Sequence, residues 1–548
     1  MFYNRSLRRT TIDILPDDVL LEIFDFCQIE GNSHTTSLHP GSHWLTLVHV
    51  CKRWRHTVLV SPRRLDLTLF CTYGTPVRTH LGSLPPFPVI VDYRGLTFSD
   101  PAPHHEDDII AALEHPDRVR SIKLNVTRHL LEMMTLVMQE PFPALTTLWL
   151  SSKDRNAPVL PDGFSIGPAP HLSQILLEGI SFLALPTLLL SANNLVDLQL
   201  KAIPQSGYIS PEAMVPGLAA LQRLENLCIW FKAPRSILQP RHSPVSMRHV
   251  LLSLVTFQFH GSCEYLEHLL AQIDTTRLRT INITYFNELD FHVPQLSQFI
   301  SRTEHLVLAT QVHIRISDPY VQLDFEEKNR GNVLTLRISC KWLDWQVLHL
   351  AQILCQSAAM VSNVEHLLID ENYRQRGPGW EDSVEDTDWL ELFRSITAVK
   401  TLHVSKQLAG HIALALDGVG GEMITELFPA LASLSLAGQP ARSVKKFLAA
   451  REISGHPVDY ADLGRQWCTK CAKIFHRHQE LARHIREVHD PPRKCPFCSY
   501  KWKRPDKLKS HLIIVHREEF AEDVFQRLHN LRGKDLIMFV DTIESPQS

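Results

Sequence analysis

One short pattern, apolar-x-x-apolar-x-apolar, recurs between residues 118 and 440 and limits what this chain can fold into. Its clear copies are Val119/Ile122/Leu124, Leu145/Leu148/Leu150, Leu172/Ile175/Leu177, Leu195/Leu198/Leu200, Leu224/Leu227/Ile229, Leu254/Phe257/Phe259 and Leu278/Ile281/Ile283. Four more follow at Val333/Leu336/Ile338, Val364/Leu367/Ile369, Val399/Leu402/Val404 and Leu431/Leu434/Leu436. Leu306/Leu308 is expected to mark a degenerate copy between them. Counting it, successive starts lie 23 to 35 residues apart. The alternation at the end of each copy is that of a strand with one buried face. Between copies the spacing becomes helical: Leu266, Leu269, Leu270 and Ile273 fall at offsets 0, 3, 4 and 7. A single strand and helix cannot bury its own apolar face, so such units must stack.

A strand and a returning helix every ~20–30 residues is the signature of a leucine-rich-repeat solenoid. The spacing here is uneven, and the Asn/Cys ladder position is not regularly filled. An imperfect array with long loops is therefore expected. Outward strand positions such as Lys123, Trp149, Gln199 and Lys201 would line its open sheet face, an extended surface for a protein partner.

The N-terminal eighty residues read differently. Over residues 14–27 a Leu-Pro-Asp-Asp opening turns amphipathic, with Val19, Leu20, Ile23, Phe24 and Cys27 at helical spacing. Pro16 suits a helix start, and Asp17 and Asp18 suit its first turn. Residues 28–43 are polar and read as a loop, and a second apolar segment follows over 44–59. Periodicity alone is equally consistent with a small helical cap on the next domain.

The residues themselves add more. Leu15-Pro16, Val19-Leu20, Ile23-Phe24, then Val50-Cys51-Lys52-x-Trp54-Arg55 resemble the F-box motif. The continuation over residues 61–78 resembles the F-box proteins common in mushroom-forming fungi. The loop between the helices is some ten residues longer than is usual in that motif. The resemblance implies a helical hook for the adaptor protein of a cullin-RING ubiquitin ligase. Leu15, Pro16, Val19, Leu20, Ile23 and Phe24 match the positions that build the hook or its contacts. In physical terms, an apolar helix face is laid into a partner's groove.

The C-terminal region carries two ligand sets of identical spacing. They are Cys468-x2-Cys471-x12-His484-x4-His489 and Cys495-x2-Cys498-x12-His511-x4-His516. Cys-x2-Cys is a tight hairpin that turns two thiolates toward one point, and His-x4-His is expected to place two imidazoles on nearly the same helix face. Four N/S ligands leave no open position, so two structural zinc ions are expected. Phe475 with Leu481, and Trp502 with Leu508, make cores too small to fold without the metal. These residues resemble the Cys2His2 zinc finger. Its geometry implies base-facing positions at Arg477, Glu480 and Arg483 in the first unit and Arg504, Lys507 and Ser510 in the second. An Arg at such a position can read guanine in the major groove. The connector, residues 490–494, is two residues shorter than the usual linker of that family and holds two prolines.

Charge divides the chain. Residues 468–516 hold twelve Lys or Arg against four Asp or Glu, a net of +8. The whole chain carries −3, so the rest carries −11. A basic finger region on an acidic chain suits a polyanion or an acidic protein. Seven of the eleven cysteines lie among apolar neighbours outside the ligand sets, as buried thiols of the cytosol or nucleus would. No run of ~18 apolar residues occurs, so no membrane partner is expected. The first residues lack a continuous apolar core, so no secretory signal is expected. No phosphate loop, G-x-S-x-G elbow or H-E-x-x-H occurs, and an enzyme is not expected.

The expected fold is multidomain α/β. It comprises a helical F-box over 1–80, an irregular leucine-rich-repeat solenoid over 81–440, a final helix and linker over 441–466, two ββα zinc fingers over 467–517 and a C-terminal helix and tail over 518–548. In the tail, Phe520, Val524, Leu528 and Leu531 form an apolar stripe, and Gly533 reads as a helix stop. The function implied is that of a substrate-recognition adaptor of an SCF-type ligase. The repeats would hold an unknown target protein, and the fingers would touch DNA, RNA or protein. The alternative is a zinc-finger nucleic-acid-binding regulator in which the F-box-like region is only a structural cap.

Overall fold

The computed structural model describes residues 12–30, 43–62, 64–65, 67–73, 75–94, 104–154, 156–160, 170–233, 248–288, 290–327, 331–340, 342–371, 384–419, 423–460, 466–467, 474–475, 478–489, 493–495, 497–502, 505–519 and 528. They form two compact units, Met1–Val307 with Leu334–Ser339, and Leu308–Val333 with Cys340–Ser548.

The first unit opens with three helices, α1 (Asp17–Glu30), α2 (His43–Val50) and α3 (Lys52–Val60). The apolar run over 44–59 is therefore broken at Cys51. This residue takes an extended backbone, and its Sγ accepts the Trp54 amide at 3.4 Å, capping α3. Leu20, Leu21 and Phe24 of α1 pack with Trp44, Val48 and Val58, and this cluster continues into Leu65, Leu67 and Phe87. The Phe24 and Trp54 rings meet at 4.8 Å. Trp44 Nε1 donates to the Thr68 carbonyl at 3.0 Å, tying the helices to the chain that leads into the sheet. Arg53 donates from Nε to Asp17 Oδ1 at 2.9 Å and from Nη2 to the Leu15 carbonyl, which fixes the start of α1 against α3.

The chain then runs through β1 (Leu69–Cys71), β2 (Val89–Tyr93), β3 (Val119–Asn125), β4 (Thr147–Ser151), β5 (Gln174–Glu178), β6 (Asp197–Ile203), β7 (Asn226–Phe231), β8 (His249–Leu251), β9 (Thr256–Gly261), β10 (Ile273–Thr275) and β11 (Thr280–Tyr285). From β1 to β7, and on through β9 to β11, each strand pairs in parallel with the next. β8 and β10 form a small parallel pair of their own. The sheet begins at Leu69, ahead of the boundary expected at residue 80.

Every triplet of this unit marks a strand, for one reason. The last two apolar residues of each triplet point to the helical side, and the first turns in just before the strand or, at Val119, as its first residue. Leu145, Leu148 and Leu150 show this, all within 1% of full burial. Helix Cys263–Gln272 buries Leu266, Leu269 and Leu270, while Ile273 starts β10. Its Glu267 accepts the Gln295 amide at 2.6 Å and the Leu296 amide at 2.9 Å, capping helix Pro294–Arg302 of the next repeat. Burial pushes this carboxyl up to about 7 against the pull of the two amides. Glu267→Ala leaves the buried Leu296 amide and the half-buried Gln295 amide unmet and should cost about 1–3 kcal/mol. Urea unfolding of the variant beside the wild type measures the loss.

Next come β12 (Gln311–Ser317), β13 (Tyr320–Glu327), β14 (Gly331–Ser339), β15 (His366–Glu371), β16 (Thr401–Val404), β17 (Ser433–Leu436) and β18 (Asp459–Tyr460). β14 pairs in parallel with β11 over Leu334–Ile338, in the first unit. In the second unit β12 pairs antiparallel with β13, and β12, β15, β16, β17 and β18 follow in parallel order.

The degenerate copy expected at Leu306/Leu308 is corrected here. Glu304–Val307 is helical and Leu308 is exposed. The strand comes later, where Val312, Ile314 and Ile316 alternate and are fully buried. Within 441–466 the chain forms helix Lys445–Ile453 and then β18, in the stretch read as linker.

Candidate functional site

Each C-terminal ligand set is framed by a short hairpin and a helix. β19 (Gln466–Trp467) pairs antiparallel with β20 (Ile474–Phe475), and helix His478–His484 follows. β21 (Arg493–Lys494) pairs antiparallel with β22 (Lys501–Trp502), and helix Pro505–Val515 follows. The Cys495 amide donates to the Tyr500 carbonyl at 2.7 Å, closing the second hairpin.

The four expected ligands of this second set meet. The ligand atoms of Cys495, Cys498, His511 and His516 all lie within 4.8 Å of one another. Cys498 Sγ stands 3.2 Å from His511 Nε2 and 3.3 Å from His516 Nε2. A tetrahedral zinc with ordinary bond lengths sets S···N edges of about 3.5 Å, so the donor set fits that ion. The Tyr500 ring stacks on His511 at 4.1 Å, and Phe497 lies 5.3 Å from His516, fixing both imidazoles from outside. Beneath them Leu508 and Leu512 are fully buried.

In the first set His484 Nε2 and His489 Nε2 stand 3.2 Å apart, near the N···N edge of about 3.3 Å for the same geometry. Cys468 and Cys471 lie outside the described residues. The x4 spacing alone does not put both imidazoles on one α-helical face, because five residues of α-helix turn the second ring about 140° away. The helix widens to a π turn over Ile485–His489, and this brings the rings together.

Of the base-facing candidates, Glu480 is half-buried, while Arg483, Lys507 and Ser510 are exposed. Arg477 and Arg504, and the side chains of Phe475 and Trp502, lie outside the described residues. Sequence reasoning missed Ile514. It follows Lys507 and Ser510 at offsets 7 and 4 on the same helix face and is 79% exposed. Of the tail stripe, Leu528 alone is described, and it is buried.

A second candidate surface is the outer side of α1. Leu20 and Phe24 are fully buried, Leu15 and Ile23 are half-buried, and Pro16 and Val19 are exposed. Phe26, 68% exposed, extends the outer row Pro16, Val19, Ile23 by one more step at helical spacing. Ile14, just ahead of the helix, is equally exposed. Phe26 could have been found from its offsets of 3 and 7 to Ile23 and Val19. Two apolar stripes on one helix do not say which of them faces in.

A third is the helix-free face of the first unit's sheet. Lys123, Trp149, Gln199 and Lys201 all project there and are half-buried. The Arg94 guanidinium sits 4.5 Å over the Trp149 ring and is held by Asp92 at 2.7 Å.

No family model matches the chain. A zinc finger protein of Schizosaccharomyces pombe is 43% identical over 64 residues, which is 10% of this chain and 11% of that protein. The chain therefore spans about a tenth of the length of that relative. Among solved structures, the leucine-rich repeat-containing protein LegL7 of Legionella pneumophila overlaps 78% of this chain and 99% of its own, at 13% identity and a TM-score of 0.24. The complex of Rad7 and Elc1 in yeast overlaps 77% of this chain and 88% of that one, at 11% identity and a TM-score of 0.25. The class of the chain rests on its own geometry: a mixed α/β array of parallel, leucine-rich-repeat-like strands, followed by a Cys/His ligand cluster with zinc-finger features.

Proposed function

We propose that this protein is a substrate-recognition adaptor of an SCF-type cullin-RING ubiquitin ligase. The N-terminal helices dock the ligase's adaptor protein, the repeats hold a target protein, and two zinc-stabilised fingers add a further contact. The observation that carries this reading is the two-sided α1. Its inner stripe is used up in the core, and its outer row, Pro16, Val19, Ile23 and Phe26, is apolar and lies toward solvent. An exposed apolar row of this kind on a short helix is what a grooved partner takes up. In the fingers, zinc would be held by Cys468, Cys471, His484 and His489, and by Cys495, Cys498, His511 and His516. A closed four-ligand site supplies folding stability and no catalysis. Ubiquitin transfer belongs to the partners, so this chain needs no nucleophile of its own. Ile514 beside Lys507 and Ser510 favours a protein contact over a phosphate backbone at the second finger. Work in such a ligase places the protein in the cytosol or nucleus.

The test is co-purification of the full chain with the cullin-ligase adaptor protein. Val19→Asp with Phe26→Asp places two charges in the exposed row and leaves the core intact. Retention should fall at least about 100-fold, the effect of a lost central anchor, while the melting curve stays that of the wild type. Equal retention by the double variant would sink the reading.

A further inference from the structure

The helix-free face of the first unit's sheet carries an aromatic ladder. Trp230 of β7, His260 of β9 and Phe286, the residue after β11, stand side by side. The ring centroids of Trp230 and His260 are 5.3 Å apart, and those of His260 and Phe286 are 4.9 Å apart. Trp230 remains 41% exposed. Burial, and the Arg337 charge, hold the His260 ring below its ordinary pKa, so the ladder is a neutral platform at neutral pH. Arg337 projects from β14 on the same row, through the registers Trp230–His260, His260–Thr284 and Thr284–Arg337.

The backbone beside the ladder is irregular. The pairing of β6 with β7 slips between Leu200 and Ile203, and Ala202 takes a φ of +48°, a region L-residues rarely adopt. Bulges of this kind re-aim a side chain and cluster beside functional sites. Here the slip sets Lys201 and Ala202 against Trp230. Lys201 makes no ion pair among the described residues. Three neutral rings tilted by 37° and 48° to one another, with a cation beside them, offer a partly exposed Trp230, one of the residue types that dominate interface energies. Glu178, in register with Lys201, and Asp197, earlier on β6, project from the same face. Their carboxylates oppose a phosphate backbone, whereas a peptide with one or two acids can avoid them.

We infer that Trp230, His260 and Phe286, with Lys201 beside them, form the specificity site of the repeat array. It takes an extended protein segment that lays an aromatic or aliphatic side chain on the ladder and sets a neighbouring carboxylate against Lys201. This inference rests on the reading of the repeats as the target-holding part.

A displayed library of random peptides selected on the zinc-loaded full chain tests it. The enriched peptides should pair Phe, Trp or Leu with a nearby Asp or Glu. Trp230→Ala should weaken them about tenfold or more, with an unchanged melting curve. Fresh selection on Lys201→Glu should replace the carboxylate by Lys or Arg. No enrichment, enrichment that Trp230→Ala leaves unchanged, or displacement of the peptides by single-stranded oligonucleotide overturns the assignment. The adaptor-docking reading is scored separately. Loss of the ligase adaptor with peptide binding intact counts against that reading alone, and retained adaptor with no selected peptide counts against this site alone.

Discussion

Replacing Cys495 by Ser, or stripping the metal with a chelator, should unfold the second finger and leave the repeat sheet standing. The finger has almost nothing else to hold it: two-residue strands, one helix, and Leu508 and Leu512 as its described buried apolar side chains. Burial of two leucines offsets only a few kcal/mol, against a backbone ordering cost of about 1–2 kcal/mol per residue. Binding of a structural zinc contributes about 10–16 kcal/mol and is in effect the folding energy of such a module. Cys495→Ser should therefore lower the bound zinc from two equivalents to one. The region 493–519 should become open to protease, with the sheet resistant. Because each ligand set is local in sequence, the first finger should keep its ion. Undiminished zinc in the variant would mean that the four converging side chains are not a metal site.

How much of this could be read in the sequence follows from how local each signal is. The apolar triplets were legible because a stacked strand repeats the same inward pair, as Leu148 and Leu150 or Leu198 and Leu200 do. Strands whose leading template position holds no large apolar residue were not. β1 and β2 bury Leu69, Cys71, Val89, Val91 and Tyr93 with Asp66 and Pro86 at that position, and β12 buries Val312 and Ile314 behind the small, buried Ala309. Plain alternation would have found them. The ligand spacings told that Cys495, Cys498, His511 and His516 converge, since a hairpin and a helix end fix them within a few residues. They did not reveal the widened turn at Ile485–His489. The break at Cys51 was hidden because Leu45, Val48 and Cys51 keep helical spacing up to it and no Pro or Gly interrupts residues 44–59. The site inferred on the open sheet face was the least legible. Trp230, His260 and Phe286 are far apart in the chain, and the strand register alone brings their rings together.

The two phenylalanines of α1, two residues apart, should behave as opposites. Phe24 is fully buried against Trp54 and within the cluster that joins the helices to the sheet. Phe24→Ala removes a whole ring from that cluster and should cost about 3–5 kcal/mol. For a module of three short helices this is enough to open it, so adaptor binding falls with stability. Phe26 lies on the outer row and touches little of the fold. Phe26→Ala should change stability by no more than about 0.5 kcal/mol, as an exposed substitution does, yet lower adaptor retention about 10-fold or more. Thermal melts read together with retention separate the cases. A matched fall in both for Phe24→Ala marks a core residue, and a fall in retention alone for Phe26→Ala marks a contact. If Phe26→Ala lost stability as Phe24→Ala does, the outer row would be packed against the chain itself. Leu20→Asp, which places a charge among the same buried side chains, should resemble Phe24→Ala and not Phe26→Ala. Only substitutions in the outer row therefore test docking without also testing folding.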